Sequence, residues 1–288
     1  MNLAIGFFDG VHLGHQKILA QADAALTFAD HPLSVLVPDR APALLMTREA
    51  RMAAIADALR GGKAAAGGSG RVRALAFTRE LAAESPERFS EWLQGEYPAL
   101  ETLYCGDNWN FGAGGRGNAD FLRAKGFTVD VVPYVTFGAM AISSTRVRAA
   151  LKAGDVSGAR AMLGRAYAVT GKVVHGKGMG RSLGYPTLNV LPDNPHLPRL
   201  LQLGVYVVDT PFGRGLANYG LAPTLGDSSW TAPVLEVHLL EGRPTADCGM
   251  LTVSLVRFVR SERRFGSLEE LQKQIGLDCQ VARERSGE

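Results

Sequence analysis

A change of rhythm near residue 165 constrains the fold more than any other feature of this chain. Before it, apolar strand-like runs at 3–7, 25–28, 72–77, 102–105 and 129–133 alternate with helical patterns at 13–25, 47–60, 86–94, 118–125 and 145–152. Such alternation builds a parallel sheet with helices on both faces, because each parallel pairing needs a long crossover. After it the long helices stop. AVTGKVVH, GVYVVD, GLANYG, VLEVHLL and LTVSLVRFV follow one another between Gly, Pro and Asp turns, the pattern of a small antiparallel barrel. A helical pair, TRVRAALKAGD and VSGARAMLG, closes at Gly164 between the two regimes. The last pattern, SLEELQKQIGLDCQVARE, predicts one amphipathic helix opened by Ser267 and Glu270 at capping-box spacing. With 288 residues the chain has room for two domains. The expected division is an α/β domain over 1–164 and a β-barrel with a C-terminal helix over 165–288.

Charge narrows the partners. The net charge is only +3, and neither half carries the basic excess that nucleic-acid binding needs. Cys105, Cys248 and Cys279 are odd in number and outside any CxxC spacing, so they read as reduced thiols of a cytoplasmic protein. No run approaches the ~18 apolar residues of a membrane span, and no signal-peptide pattern opens the sequence. The sequence leaves the oligomeric state open.

The first strand runs straight into GFFDGVHLGHQKIL. His12 and His15 are three apart, so both project to one side at the opening of a helix. The first turn of a helix offers free N–H groups and the positive end of its dipole, a setting for phosphate. Gly14 between them removes a side chain that would obstruct a close-lying nucleotide. A metal site is the competing reading, but the spacing lacks the glutamate of HExxH and needs further ligands. ISSTRVRAAL (142–151) offers a second anion setting: Ser144 or Thr145 can cap a helix, and Arg146 and Arg148 project to different sides. GAGGRG (112–117) fits GxGxxG but is separated from its strand by GDNWN, and GKVVHGKG (171–178) lacks the Ser or Thr that ends a P-loop.

Taken together, GFFDGVHLGH, CGDNWNFGAGGRG and ISSTRVR resemble, in order and spacing, the adenylyltransferase module of bifunctional riboflavin kinase/FMN adenylyltransferases, the prokaryotic FAD synthetases. The likeness extends through TREARMAAIADAL and ESPERF. It implies a Rossmann-like HxGH nucleotidyltransferase domain in which Gly6, Phe7 and Phe8 border the adenine nucleotide and His12 and His15 hold its phosphates. It further implies that Asn108 contacts the phosphates or the flavin side, and that Ser144, Thr145 and Arg148 complete the phosphate grip. ADHP (29–32) departs from the family's usual Asp-Pro-His-Pro, so the resemblance assigns His31 no role.

The second half resembles the same family's riboflavin kinase module through GKGMGRSLGYPTLNV, with GVYVV, ANYGLAPT, LEVHLL and RRFGSLEELQKQI behind it. Gly176, Gly178 and Gly180 would form a cover over ATP phosphates. Thr187 and Asn189 would supply oxygen ligands to Mg²⁺. Along LEVHLL, Glu236 and His238 share the strand face opposite Leu235 and Val237. The resemblance makes Glu236 the general base toward the ribityl 5′-hydroxyl of riboflavin. Arg257, Arg260 and Arg263 stand as candidates for the flavin pocket. The implied substrates are riboflavin, FMN and ATP, with Mg²⁺ carried by the nucleotide.

Overall fold

A computed structural model describes residues 1–62, 70–174, 179–220, 233–241 and 249–284. The chain forms two compact units, Met1–Ser144 and Thr145–Glu288. The first contains β1 (Asn2–Ile5), α1 (Leu13–Leu19), β2 (Ala24–Phe28), α2 (Pro32–Leu36), α3 (Arg48–Arg60), β3 (Arg71–Leu75), α4 (Arg79–Ala83), α5 (Pro86–Glu96), β4 (Thr102–Gly106), α6 (Ala119–Ala124), β5 (Val129–Val132) and the short strands β6 (Thr136–Phe137) and β7 (Met140–Ala141). Its five long strands form one parallel sheet in the order β3-β2-β1-β4-β5, with Leu3 opposite both Ala24 and Leu103.

Strand alternation then sends neighbouring residues to opposite layers. Ala4, Ala25 and Tyr104 pack with Ile18 and Leu19 of α1 and Ile55 and Leu59 of α3. Leu3, Ile5, Leu26 and Leu103 pack on the other side with Leu93 of α5 and Leu122 of α6. This is the doubly covered sheet that the alternation predicts. Helix starts follow their capping residues: the hydroxyl of Thr47 accepts from Ala50 N, and that of Ser85, ahead of Pro86, accepts from Arg88 N.

The boundaries depart from expectation in two places. Helix α1 stops at Leu19 instead of continuing to 25. The 3.6-residue pattern borrowed Leu26, which belongs to β2 and faces the other layer. Strand β1 stops at Ile5: Gly6 N still donates to Leu26 O of β2 at 3.2 Å, but the Phe7 carbonyl is taken by Thr27 Oγ1 and Arg51 Nη1. Helix α2 and the β6–β7 hairpin were not anticipated.

In the second unit, α7 (Ser144–Lys152, its first residue still in the first unit) and α8 (Val156–Leu163) precede the barrel. Then come β8 (Ala168–Val174), α9 (Met179–Ser182), β9 (Leu188–Pro192), α10 (Leu197–Leu200), β10 (Gly204–Thr210), β11 (Gly213–Gly220), β12 (Val234–Leu239), β13 (Met250–Ser261) and α11 (Leu268–Arg283). The strands close in the ring β10-β11-β12-β9-β8-β13, antiparallel throughout. Tyr206, Ala217, Tyr219, Leu235, Val237 and Leu255 fill one side of the wall, each under 2% exposed. On the other side Val205, Val207 and Leu216 pack against Cys279 and Ala282 of α11. Ser267 Oγ caps α11 by accepting from Glu270 N, while the Glu270 carboxylate accepts from Gly266 N, a capping box displaced by one residue.

Cys105 and Cys279 are buried free thiols, and Cys248 lies outside the described residues. Among the described residues no helix is long and apolar enough to cross a membrane.

Candidate active sites

The order β3-β2-β1-β4-β5 reverses direction between β1 and β4, and in such sheets ligands bind outside the carboxyl ends at that switch. Both predicted segments end there. From β1 come Gly6, Phe7, Phe8 and His12. From β4 comes the turn with Asn108, whose Oδ1 lies 3.6 Å from where a Cβ on Gly106 would stand. Ser144, the first residue of α7, donates its hydroxyl to Asp9 O at 2.9 Å, which seats it on the same turn. Ser144 and Thr145 therefore lie inside the helix, and neither serves as the expected cap. Thr145 and Arg148 belong to the second unit, where Arg148 Nη1 lies 3.4 Å from Thr145 Oγ1.

The turn itself is strained. Phe8 has φ 59° and Val11 has φ 41°, a left-handed conformation that a β-branched residue rarely adopts. Two contacts hold it: the buried Asp9 carboxylate accepts from Leu45 N at 3.0 and 3.2 Å, and Arg51 donates to Phe7 O at 2.8 Å.

His12 is the N-cap of α1, not part of its first turn. Its Nδ1 accepts from His15 N at 3.3 Å. An acceptor at Nδ1 puts the proton of the neutral ring on Nε2, leaving that N–H as the outward donor. The two imidazoles stack at 3.6 Å between centroids, and Phe8 meets His15 edge-on at 5.3 Å. A Cβ on Gly14 would stand 3.2 Å from the His12 ring, so this glycine is first of all what lets that ring fold back over the helix start. Burial lowers His12 from 6.5 to about 4, and burial together with the neighbouring His12 lowers His15 well below its ordinary value. The pair is thus neutral, acting as hydrogen-bond donors without positive charge. His15 Nδ1 is buried without a partner among the described residues, an orphan that suits a ligand atom.

Beside this turn lies a cavity of about 830 Å³ that the sequence reading missed. Phe28, Phe77, Phe89, Trp92, Trp109 and Phe111 line it, from the ends of β2 and β3, from α5 and from the loop after β4. Trp109 stacks on Phe111 at 4.8 Å, and Phe89 lies 4.7 Å from Phe111. The GAGGRG glycines belong to its wall. Gly112 has φ 70°, and a Cβ there would press 2.8 Å from Pro86 N. No helix opens directly from β4 at these glycines, so they do not make a dinucleotide turn. Aromatics scattered over some eighty residues carry no sequence signal for a pocket; only the sheet gathers them.

In the second unit the ladder register sets Glu236 directly opposite Asn189 on β9 and Asn218 on β11. Three polar side chains thus form a row on the barrel face away from Leu235 and Val237, as period two predicts. Asn218 was not anticipated. His238, on the same face, pairs Nδ1 with Pro186 O at 3.0 Å and meets Tyr185 edge-on at 5.3 Å. Gly180, in α9, accepts from Tyr185 N at 2.7 Å, and Thr187 Oγ1 lies 3.3 Å from its would-be Cβ. The glycine segment and the PTLN stretch therefore do meet. Gly176 and Gly178 lie outside the described residues.

Each arginine candidate has a protein partner, while Arg257 Nε is buried without one among the described residues. Arg260 makes a forked pair with the buried Asp278 (Nη2 to Oδ2 2.8 Å, Nε to Oδ2 3.0 Å), Arg257 donates to Val281 O, and Arg263 donates to Gln274 Oε1. These contacts fasten α11 to the barrel and to the segment following β13.

For a divalent cation the predicted donors are the Thr187 hydroxyl, just ahead of β9, and the Asn189 amide in the row, with the Glu236 carboxylate opposite. Among the described residues no three His, Cys, Asp or Glu are grouped to hold a metal. So sparse a donor set fits Mg²⁺, which keeps its waters and takes substrate phosphates as ligands.

Comparison with known proteins agrees with this division. The FAD synthetase family model matches residues 1–146, and the riboflavin kinase model matches 163–286. A bifunctional riboflavin kinase/FMN adenylyltransferase of Pseudomonas fluorescens is 36% identical over 97% of this chain and 91% of its own. One from Escherichia coli K12 is 33% identical over 99% and 92%. A crystal structure from Streptococcus pneumoniae, titled a macrolide-efflux protein, shares the fold with TM-score 0.76 at 24% identity, covering 99% of this chain and 93% of its own. By the two family models and by relatives matching nearly end to end, the chain belongs to the bifunctional riboflavin kinase/FMN adenylyltransferase family.

Proposed function

We propose that the chain makes FAD in two steps, phosphorylating riboflavin with ATP in its 165–288 half and adenylylating the resulting FMN with a second ATP in its 1–164 half. One observation carries this reading. Residues far apart in the sequence meet within each unit: Gly6 to His15 with Asn108 about the switch point in the first, Asn189 and Glu236 as ladder partners in the second.

In the kinase step the ribityl 5′-oxygen attacks the γ-phosphorus, the bond to the β-bridging oxygen breaks, and ADP leaves. Glu236 accepts the hydroxyl proton as that bond forms. Asn189 and Asn218, on either side, hold the carboxylate in line through the ladder register. Thr187 and Asn189 would hold Mg²⁺, which when bound supplies charge neutralisation at the transferred phosphoryl.

In the adenylyl step the FMN phosphate is already a nucleophile, so no covalent enzyme intermediate is needed. A phosphate oxygen attacks the α-phosphorus of ATP and pyrophosphate departs. The Nε2–H of His12 and the neighbouring His15 donate to phosphate oxygens, and Ser144 braces their turn through Asp9 O. The aromatic cavity takes the isoalloxazine, a flat apolar body suited to ring faces. Riboflavin, FMN and ATP are the partners of this reading, the cytoplasm its compartment, and nucleic acid has no part in it.

A single time course with riboflavin, ATP and Mg²⁺, resolving the flavins by chromatography, tests it. FMN should rise and then give way to FAD. Glu236→Gln should abolish FMN formation while FAD still forms from added FMN. Replacing His12 and His15 with Ala should do the reverse. Loss of both activities in either folded variant would overturn the division.

A further inference from the structure

Arg51 lies in TREARMAAIADAL, where the resemblance gives it no role, yet it is among the largest fully buried side chains of the described residues, 1% exposed. It reaches from α3 to the carboxyl ends of two strands. Nη1 donates to Phe7 O at 2.8 Å and lies 3.3 Å from Thr27 Oγ1; Nη2 donates to Phe28 O at 2.9 Å and Ala29 O at 2.7 Å. The guanidinium carbon sits 3.9 Å over the Phe7 ring. Three carbonyls at the sheet's ligand edge are thus bound by one planar fork. An ammonium could not match that geometry, and an apolar side chain would leave the carbonyls bare.

The segment so held contains the left-handed Phe8 and Val11 and leads within one residue to His12. Strain persists only where the surroundings over-determine it. Here those surroundings are Arg51 and Thr27 on Phe7 O, Leu45 N on the Asp9 carboxylate, and Ser144 on Asp9 O. We propose that Arg51 is a positioning residue for adenylyl transfer: by clamping Phe7 to the end of β2 it holds the Phe8–Val11 turn in its strained form and so aims the His12–His15 pair at the phosphates. This rests on the assignment of adenylyl transfer to that pair. It predicts that losing the clamp misaligns the donors, and misplacement on the order of 1 Å can cost about a hundredfold in rate.

The test uses full-length Arg51→Met and Arg51→Lys. Riboflavin phosphorylation by the same molecules serves as an internal control, and thermal unfolding followed by fluorescence gives the folded fraction. For Arg51→Met, kcat for FAD formation per folded molecule should fall at least tenfold. KM for FMN should stay within threefold, because Arg51 does not line the aromatic cavity. Arg51→Lys should fall between Met and wild type, and riboflavin phosphorylation should stay within twofold in both. A residue that only stabilises the fold would leave kcat per folded molecule unchanged, and that result overturns the proposal. Should Arg51→Met fail to fold, Thr27→Val decides: it removes the hydroxyl shared by Arg51 and Phe7 O, and kcat should drop threefold or more, no drop being the refutation. The His12→Ala, His15→Ala double variant runs alongside. If it still makes FAD the underlying assignment fails; if it does not, a normal kcat in the Arg51 variants refutes the clamp alone.

Discussion

Acid should loosen the first unit through His12, and the amount can be worked out. In the fold its ring is 5% exposed and titrates at about 4; in the unfolded chain it returns to the ordinary 6.5. Between those values the unfolded chain binds a proton that the folded one refuses. The stability linked to this ring is therefore fully present above 6.5 and is lost progressively as pH falls toward and through 4. At 1.36 kcal/mol per pH unit, the gap corresponds to about 3 kcal/mol. His15 is shifted in the same direction and adds to the loss. His12→Asn is the matched control, since an asparagine oxygen can accept from His15 N as the imidazole does while carrying no proton. Urea unfolding of both proteins at a series of pH values from 7.5 to 4 gives the comparison, with Trp92 and Trp109 reporting from the first unit. The wild type should lose about 3 kcal/mol relative to the variant across that range. Parallel pH curves would mean that His12 titrates normally, and the neutral-donor account of the pair would go with it.

Other perturbations read the remaining parts. Asp278→Asn breaks the fork from Arg260 and leaves a half-buried cation without its partner, a loss of about 3 kcal/mol. Thermal unfolding should register it, and riboflavin phosphorylation should fall with it because α11 packs on the same side of the barrel wall as Glu236. Phe111→Ala removes a ring in contact with Phe89 and Trp109, and should raise KM for FMN in FAD formation about tenfold while leaving riboflavin phosphorylation unchanged. Titration of FMN formation in the second case, against FAD formation from added FMN, separates pocket damage from general unfolding.

Periodicity made the architecture legible because both regimes obey it strictly. Leu3, Ala4 and Ile5 alternate between layers just as Leu235, Glu236 and Val237 do, so a period-two pattern placed Glu236 on its correct face from sequence alone. The helix start at His12 was less legible. A capping histidine and a first-turn histidine have the same spacing, and only the bond from His15 N to Nδ1 distinguishes them. Asn218 escaped notice because its partner is set by barrel register, which no local pattern carries. The structural partner of Arg260 was hidden for the same reason: Asp278 lies some twenty residues on in another element. Arg51 is the extreme case, a charge inside an apolar helical pattern whose partners are backbone carbonyls and have no letters in the sequence.

The neutrality of the histidine pair changes how the anion site works. Two cations at 3.6 Å would repel, and their burial would cost more than the phosphate returns in a site that must also release pyrophosphate. Neutral imidazoles avoid this. In His12 one ring nitrogen is held by the helix start, which leaves the Nε2–H to donate to a phosphate, on the adenylyl-transfer reading, without any change of charge. Donation by neutral rings requires both to be kept out of water and fixed in orientation beforehand, and the strained turn, Gly14 beneath the His12 ring and the contacts that hold the turn supply that fixity.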